Sequence, residues 1–547
     1  MFKVFVVLLS LFLLQTGLKA GAIDSSQTIS NQLRLFIDNK SPKTRYTIDR
    51  EELYSSQVLP RFYVSNSYVP AWLKFDHLSH QARLFIEYIE KTDEHGLQPS
   101  DYHLEIINKY RSSLGAYNPN LLEHLVKLDL LLTDAYLLLS AHLNFGKVDS
   151  ERLKADWKIQ RNAPELLLDE RLKESLKNKT LIAFLDNLPG QSYQYKPLKK
   201  QLAFFKTLLT KKWPVIKFKI TIHPNDTLED VIQIRKKLNT LGYSIKDTIS
   251  PVYDIALKIE VQKFQNQHGL NDDGSIGKLT MDAFNLSPAS RVNQIIANLE
   301  RMRWMPANMP ERRIEVNIAD YKMLVINGKD TVISSRAIVG KSYRKTPVFN
   351  STMTYLVVCP TWVVPPTILA NDVLPELKKG SGYLTKKNMK IISYSGQTIP
   401  YSSINWSSIS ASNFPYMIRQ SSGPDNALGN IKFMFPNEYN VYIHDTPSRE
   451  LFDKDSRAFS SGCIRIQKPI ELALYLLADK PEWTEARLKE VIASNKEQTL
   501  RLSEGMPVYI TYFTAWATEK NHFHFRTDLY NRDVDLLKAL KEKPKVK

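Results

Sequence analysis

Hydrophobic positions change their period along the chain, and each change marks a boundary between kinds of structure. From about residue 45 to 220 the spacing is helical. It is densest in Leu122–Leu143 (LEHLVKLDLLLTDAYLLLSAHL), which predicts a central helix buried on most sides. Glu123, Asp129 and Asp134 interrupt that run too often for a membrane span. Pro60–Leu73 (PRFYVSNSYVPAWL) is aromatic without a clear period and predicts an irregular segment whose rings pack. From about Thr227 three short helices follow. Thr227 is the expected cap of the first, with Asp230 three residues on, Leu228, Val231, Ile234, Leu238 and Leu241 on one face, and Gly242 as the stop. Leu257, Val261 and Phe264 stripe the second helix, and Gly269 ends it. Asp272-Asp273-Gly274 turns into a third helix with Met281 and Phe284. Ser290–Trp304 reads as a connecting helix with Val292, Ile295, Ile296 and Leu299 inward.

At Arg312 the period drops to two: Ile314, Val316 and Ile318 alternate with Glu315, Asn317 and Ala319. Further strands are predicted at Met323–Ile326, Ser335–Gly340, Thr354–Val358, Asn440–His444 and Val508–Phe513. Between Pro366 and Asn440 lies a Ser-, Tyr- and Lys-rich stretch too long for an ordinary connection, so a subdomain or lid is expected there, and a lid over the active site is favoured. The predicted fold class is multidomain α+β. An α-helical scaffold domain (45–220) precedes a small three-helix module (221–290) and a connecting helix (291–311). A mainly β domain (312–533) carries the inserted lid subdomain (367–439), and a basic tail (534–547) ends the chain.

A length of 547 residues fits several cores rather than one, and 43% apolar residues argue against disorder. The net charge of +17 favours a polyanionic partner, but the lysines are scattered and form no nucleic-acid module, so nucleic acid is set aside. Residues 1–22 read as a secretory signal: Lys3, an apolar run from Val4 to Leu14, and Ala20-Gly21-Ala22 as the cleavage site. Export to the periplasm is therefore expected, with an uncleaved anchor in the inner membrane as the open alternative. Two cysteines in such a length exclude a disulfide-built scaffold, and at least one should be free. Cys359 sits in an apolar run, which predicts an inert buried thiol, whereas Cys463 lies among Ser, Gly and Arg. His268 lacks a second ligand at metal spacing and reads as a capping or packing residue. No metal and no cofactor are expected.

The candidate chemistry lies in Val441-Tyr442-Ile443-His444-Asp445-Thr446-Pro447 and Ser460-Ser461-Gly462-Cys463-Ile464-Arg465-Ile466, with His444 and Cys463 nineteen residues apart. A thiol becomes a competent nucleophile beside an imidazole or a cation, and the imidazole can later return the proton to a leaving amine. Gly462 would let backbone amides at Gly462 and Cys463 approach a developing oxyanion. Arg465 should share a side of the strand with Cys463, to hold a substrate carboxylate or to brace the loop, and Tyr442 should share one with His444. Asp445 fits a turn better than a triad.

Two resemblances extend this. Phe264-Gln265-Asn266-Gln267-His268-Gly269-Leu270 with Asp273-Gly274-Ser275-Ile276-Gly277 and Thr280 resembles the peptidoglycan-binding type 1 module. The His444 and Ser461-Gly462-Cys463-Arg465 pattern resembles the L,D-transpeptidase catalytic domain, or YkuD domain, whose signature has a second His where this chain has Ser461. The large periplasmic, YcbB-like branch of that family is the nearer match, having Ser at that point and a comparable helical scaffold, peptidoglycan module and insertion. Trp362-Val363-Val364-Pro365-Pro366, Asp372-Val373-Leu374-Pro375, Gly423-Pro424 and Gly429-Asn430-Ile431-Lys432-Phe433 are further matching words. The resemblance implies a mainly β YkuD-type domain with Cys463 as nucleophile and His444 as base, and Gly462, Ser461, Arg465 and Tyr442 around the oxyanion and substrate. It implies an enzyme that acts on peptidoglycan stem peptides, binds glycan strands and works beside other cell-wall synthesis proteins. A non-catalytic peptidoglycan-binding scaffold, an L,D-carboxypeptidase and a sortase-like transpeptidase stay open as alternatives.

Overall fold

The computed structural model describes residues 27–39, 45–114, 119–151, 153, 157–161, 166–189, 194–518 and 522–544. The expected signal at 1–22 lies outside them. Among the described residues no helix is long and apolar enough to cross a membrane.

The dense apolar run forms one 25-residue helix, α1 (Leu121–Phe145), and most of its side chains are buried. The acids that exclude a membrane span now have partners. Asp134 accepts the Tyr54 and Ser55 amides (3.0 and 2.6 Å) and faces His103 Nε2 at 2.8 Å. Asp129 accepts the Tyr63 hydroxyl (2.7 Å) and the Ala71 and Trp72 amides (3.2 and 2.8 Å). Both carboxylates thus pin irregular chain onto an otherwise apolar helix, since a buried carboxylate is tolerated only when its lone pairs are used. Burial pushes the Asp129 carboxyl up to about 6, against the hydrogen bonds that hold it down. The Pro60–Leu73 segment is only partly irregular. Val58–Ser65 is helical, and its rings pack as expected: Phe62, Tyr63 and Trp72 are buried.

The module has its three helices, α2 (Glu229–Thr240), α3 (Ile255–Gln267) and α4 (Lys278–Asn285). The expected cap is absent. Thr227 bridges Val252 in extended conformation, so α2 starts later and is capped by no side chain, while Asp254 caps α3 through the Leu257 amide at 2.8 Å. His268 packs: its ring stacks on Phe264 at 3.9 Å and Nδ1 meets the Phe264 carbonyl at 2.7 Å. Helix α5 (Pro288–Arg303) ties the parts together. Its fully buried Arg303 donates to the His95 carbonyl and the Tyr195 hydroxyl, both at 2.9 Å, and pairs with Glu300, which accepts the Val148 amide. Arg301 pairs with Asp533 at 2.5 Å.

The β domain is a closed barrel. In chain order its strands are β1 (Arg312–Asn317), β2 (Lys322–Asn327), β3 (Asp330–Gly340), β4 (Val348–Val358), β5 (Ile431–Met434), β6 (Ile443–His444), β7 (Ile464–Ile466) and β8 (Gln498–Thr511). They pair in the order β5-β6-β7-β3-β2-β1-β8-β4, and β4 returns to β5, leaving no free edge on that path. Inward residues such as Ile314, Val316, Met323, Val325, Val358, Phe433 and Ile464 form its core.

The insertion is real but shorter than expected. Ile431–Met434 pairs with Tyr355–Val358 and so belongs to the barrel, because Ile431 and Phe433 alternate into its core. Trp362–Val363, Met389–Ile392 and Met417–Gln420 form a separate three-stranded sheet with its own apolar cluster, including Leu374, Leu377, Ile391 and Ile418. The tail is helical over Arg532–Lys541, and Tyr530 just before it reaches back into the barrel.

Candidate active site

Alternation along three paired strands assembles the site. Ile431, Phe433, Ile443, Ile464 and Ile466 point into the barrel core, so Lys432, Tyr442, His444, Cys463 and Arg465 share the other face. The pairing is in register: Lys432 lies opposite His444 on one side, and Arg465 opposite His444 on the other. Cys463 stands beside Tyr442, through the bond from the Ile464 amide to the Tyr442 carbonyl (3.0 Å). The Tyr442 and His444 rings meet edge-on at 5.5 Å, and Lys432 Nζ lies 4.0 Å from the centre of the Tyr442 ring. The expected sharing of sides, Arg465 with Cys463 and Tyr442 with His444, is therefore observed.

The loop that carries Cys463 is braced from several distant segments. Thr346 Oγ1 donates to the Gly462 carbonyl (2.8 Å) and accepts the Gly340 amide (2.9 Å). Tyr530 donates to the Gly340 carbonyl (2.6 Å) and accepts the Thr346 amide (3.1 Å). Gly340 has no room for a side chain: a Cβ would sit 2.2 Å from the Arg344 carbonyl oxygen. Gly462 has φ +119°, a backbone region open to glycine. Thr346→Val would leave the Gly340 amide and the Gly462 carbonyl buried without their partner. The expected cost is about 1–3 kcal/mol, read as a lowered Tm in thermal unfolding.

One expectation is corrected here. The Gly462 amide donates to Ser460 Oγ at 3.1 Å, and Ser460 Oγ itself donates to the Cys463 carbonyl at 2.5 Å. The serine two residues upstream thus occupies the amide expected to face an oxyanion. Among the described residues the Cys463 amide has no such partner. Ser461 forms no hydrogen bond with the thiol among the described residues. It is exposed and accepts Arg344 at 2.9 Å, and Arg344 is paired with Asp372 of the insertion at 2.6 Å.

Cys463 is half-buried, and its Sγ approaches the Asn440 carbonyl at 3.8 Å. Hydrogen bonds among the described residues include none between His444 and Cys463. Burial raises the thiol above its ordinary range, opposed by the Tyr442 amide and hydroxyl and by the charges of Lys432 and Arg465. His444 is 4% exposed. Burial, then the Arg465 charge, drives its imidazole down to about 3, against the carbonyls of Asp445 and Leu428. The resting pair is therefore neutral thiol and neutral imidazole rather than a preformed ion pair. The raised thiol pKa carries a sign: the thiolate fraction grows about tenfold per pH unit until the pH passes that pKa. The iodoacetamide alkylation rate of Cys463 should still be climbing at pH 9. A plateau at neutral pH would contradict this electrostatic picture.

Asp445 braces a turn, as expected, and does not reach His444 Nδ1. Its carboxylate accepts the Asn430 amide (2.9 Å) and Arg449 (3.0 Å), and Nδ1 has no hydrogen-bond partner among the described residues. Cys359 is buried against the Val491 and Ile492 carbonyls, and both cysteines are free. The sequence pattern alone missed Lys432, Arg344, Thr346 and Tyr530. Only for Lys432 was there a local signal, a lysine at the outward position between Ile431 and Phe433 of a quoted motif.

Residues 311–510 match the family model of the L,D-transpeptidase catalytic domain (YkuD). Residues 227–284 match that of the "Putative peptidoglycan binding domain", and residues 57–202 that of a scaffold domain. The chain therefore carries a YkuD-type L,D-transpeptidase catalytic domain joined to a peptidoglycan-binding module and a helical scaffold. A Haemophilus influenzae protein named "Putative L,D-transpeptidase" is 39% identical over 248 residues, which is 45% of this chain and 50% of that protein. The chain thus matches about half the length of that relative. The crystal structure of an L,D-transpeptidase (residues 123–326) from Xylanimonas cellulosilytica aligns with 54% of this chain and 99% of that one. The two share 14% sequence identity, with a TM-score of 0.17.

Proposed function

We propose that this protein is a peptidoglycan L,D-transpeptidase with Cys463 as nucleophile and His444 as general base. The observation that carries the proposal is the shared strand face of Tyr442, His444, Cys463 and Arg465 within residues 311–510, the span of the L,D-transpeptidase match. Cys463 Sγ attacks the meso-diaminopimelate carbonyl of a tetrapeptide stem, and neutral His444 accepts the thiol proton. The Cys463 amide donates to the oxyanion. The carbon–nitrogen bond to D-alanine breaks, the nitrogen takes the proton from His444, and the donor stem remains as a thioester. An amine of a second stem's diaminopimelate then displaces the sulfur, giving a 3→3 cross-link and regenerating the thiol. Water in place of that amine would make the protein a carboxypeptidase.

Partition between the two acceptors depends on excluding water, the role assigned here to the insertion. The contact from Asp372 through Arg344 to Ser461 fastens it to the nucleophile loop. Asp372→Asn should therefore raise the share of hydrolysed tripeptide over cross-linked product severalfold, as measured by chromatography of reaction products. The peptidoglycan-binding module would hold glycan strands near the barrel, and such a substrate implies an extracytoplasmic protein. The test is intact-mass measurement after incubation with a carbapenem, alongside Cys463→Ala. Wild type should gain one covalent adduct and the variant none. An unmodified wild type would favour a non-catalytic peptidoglycan-binding scaffold.

A further inference from the structure

Lys432 has no assigned role, yet it occupies the second strand neighbouring the proposed base. It is half-buried, and among the described residues it pairs with no carboxylate. Glu497 is the acid in electrostatic reach, its Oε2 accepts the Thr361 amide and hydroxyl at 2.6 and 2.9 Å, and it forms no ion pair with Lys432 among the described residues. The ring of Tyr442 faces the ammonium at 4.0 Å, and the Cys463 thiol lies in its electrostatic reach. Arg465 repeats the situation on the opposite strand: it forms no ion pair among the described residues, and its Nε is buried without a partner. Two unpaired cations thus flank His444 in register, roughly two strand spacings or about 10 Å apart, with the thiol beside them. Partly desolvated cations without counter-charges are costly, and an anion bound between them would offset that cost.

We propose that Lys432 is a carboxylate-binding residue that positions the donor stem, partnering Arg465 across His444. This rests on the transpeptidase reading of Cys463. Such a donor offers carboxylates on both sides of the scissile carbonyl. One ends the departing D-alanine, and the other ends the diaminopimelate side chain. Either can meet a cation while the carbonyl between them lies over the thiol.

The first arm of the test needs no peptide. Cys463 of the full chain is alkylated at fixed pH by iodoacetate, an anion, and by iodoacetamide, its neutral analogue. Lys432→Gln should lower the iodoacetate-to-iodoacetamide rate ratio about fivefold, the effect of one unit charge at about 7 Å in a dielectric near 50. Lys432→Arg should restore it. An unchanged ratio, including an equal fall with both reagents as a pure thiolate effect would give, overturns the proposal. Thermal unfolding in parallel confirms that the variant is folded. In the second arm kcat and KM are measured on stems amidated at the diaminopimelate carboxylate or at the terminal D-alanine. Lys432→Gln should raise KM on the unmodified stem and lose that effect on one of the two amides, which identifies the carboxylate bound. A KM effect that persists on both amides overturns carboxylate binding. If the alkylation ratio falls while no stem acylates Cys463, the anion site stands and the transpeptidase reading fails.

Discussion

Alanine in place of Cys463 is expected to reduce stem-peptide turnover by about 10⁴-fold or more, to the background rate, with the fold intact. The reason is chemical rather than structural. The side chain is half-buried, its polar contacts are a 3.8 Å approach to the Asn440 carbonyl and the Tyr442 amide and hydroxyl, and the loop is held by Thr346, Ser460 and Tyr530 instead. No second thiol can replace it. Cys359 is buried against the Val491 and Ile492 carbonyls, and burial holds its thiol above the ordinary range. Turnover by discontinuous chromatography with thermal unfolding in parallel makes the comparison. A variant that unfolds at the same temperature and retains turnover would remove Cys463 from the mechanism.

His444→Gln should cost about 10²–10⁴-fold in kcat, the usual contribution of a positioned general base. The imidazole is driven down to about 3 by burial and the Arg465 charge, so it is neutral across the physiological range and can accept the thiol proton only when attack occurs. Without it the thiolate must come from solvent. Because burial raises the Cys463 thiol, the remaining rate should then climb about tenfold per pH unit towards alkaline pH. The wild-type profile should be flatter, since His444 titrates well below the range measured. Parallel pH profiles for wild type and variant would contradict the base role.

Local periodicity made a good part of this legible. Alternation at Ile431–Phe433, Tyr442–His444 and Cys463–Arg465 identifies which side chains share a face, because a strand has a fixed period of two. It does not identify which strands are neighbours. Lys432 stayed unassigned for that reason: its place beside His444 depends on pairing between β5 and β6. The braces on the nucleophile loop come from Thr346 and Tyr530, which lie far away in sequence. Two expectations failed to competing local bonds. Ser460 took the Gly462 amide, and the Thr227–Val252 bridge drew Thr227 out of its capping position. In α1 the acids Asp129 and Asp134 stand out in the apolar run, but their amide partners lie more than 50 residues away.

The most direct measurement is of the intermediate itself. The full chain is mixed with a disaccharide-tetrapeptide, quenched in acid, digested and mapped by mass. A tripeptide-containing acyl group should appear on the peptide that bears Cys463, with one D-alanine released per acyl group. Addition of a second stem should discharge it into a 3→3 linked dimer. Dimer formation with no acyl group on Cys463, or with the group on another residue, would contradict the account.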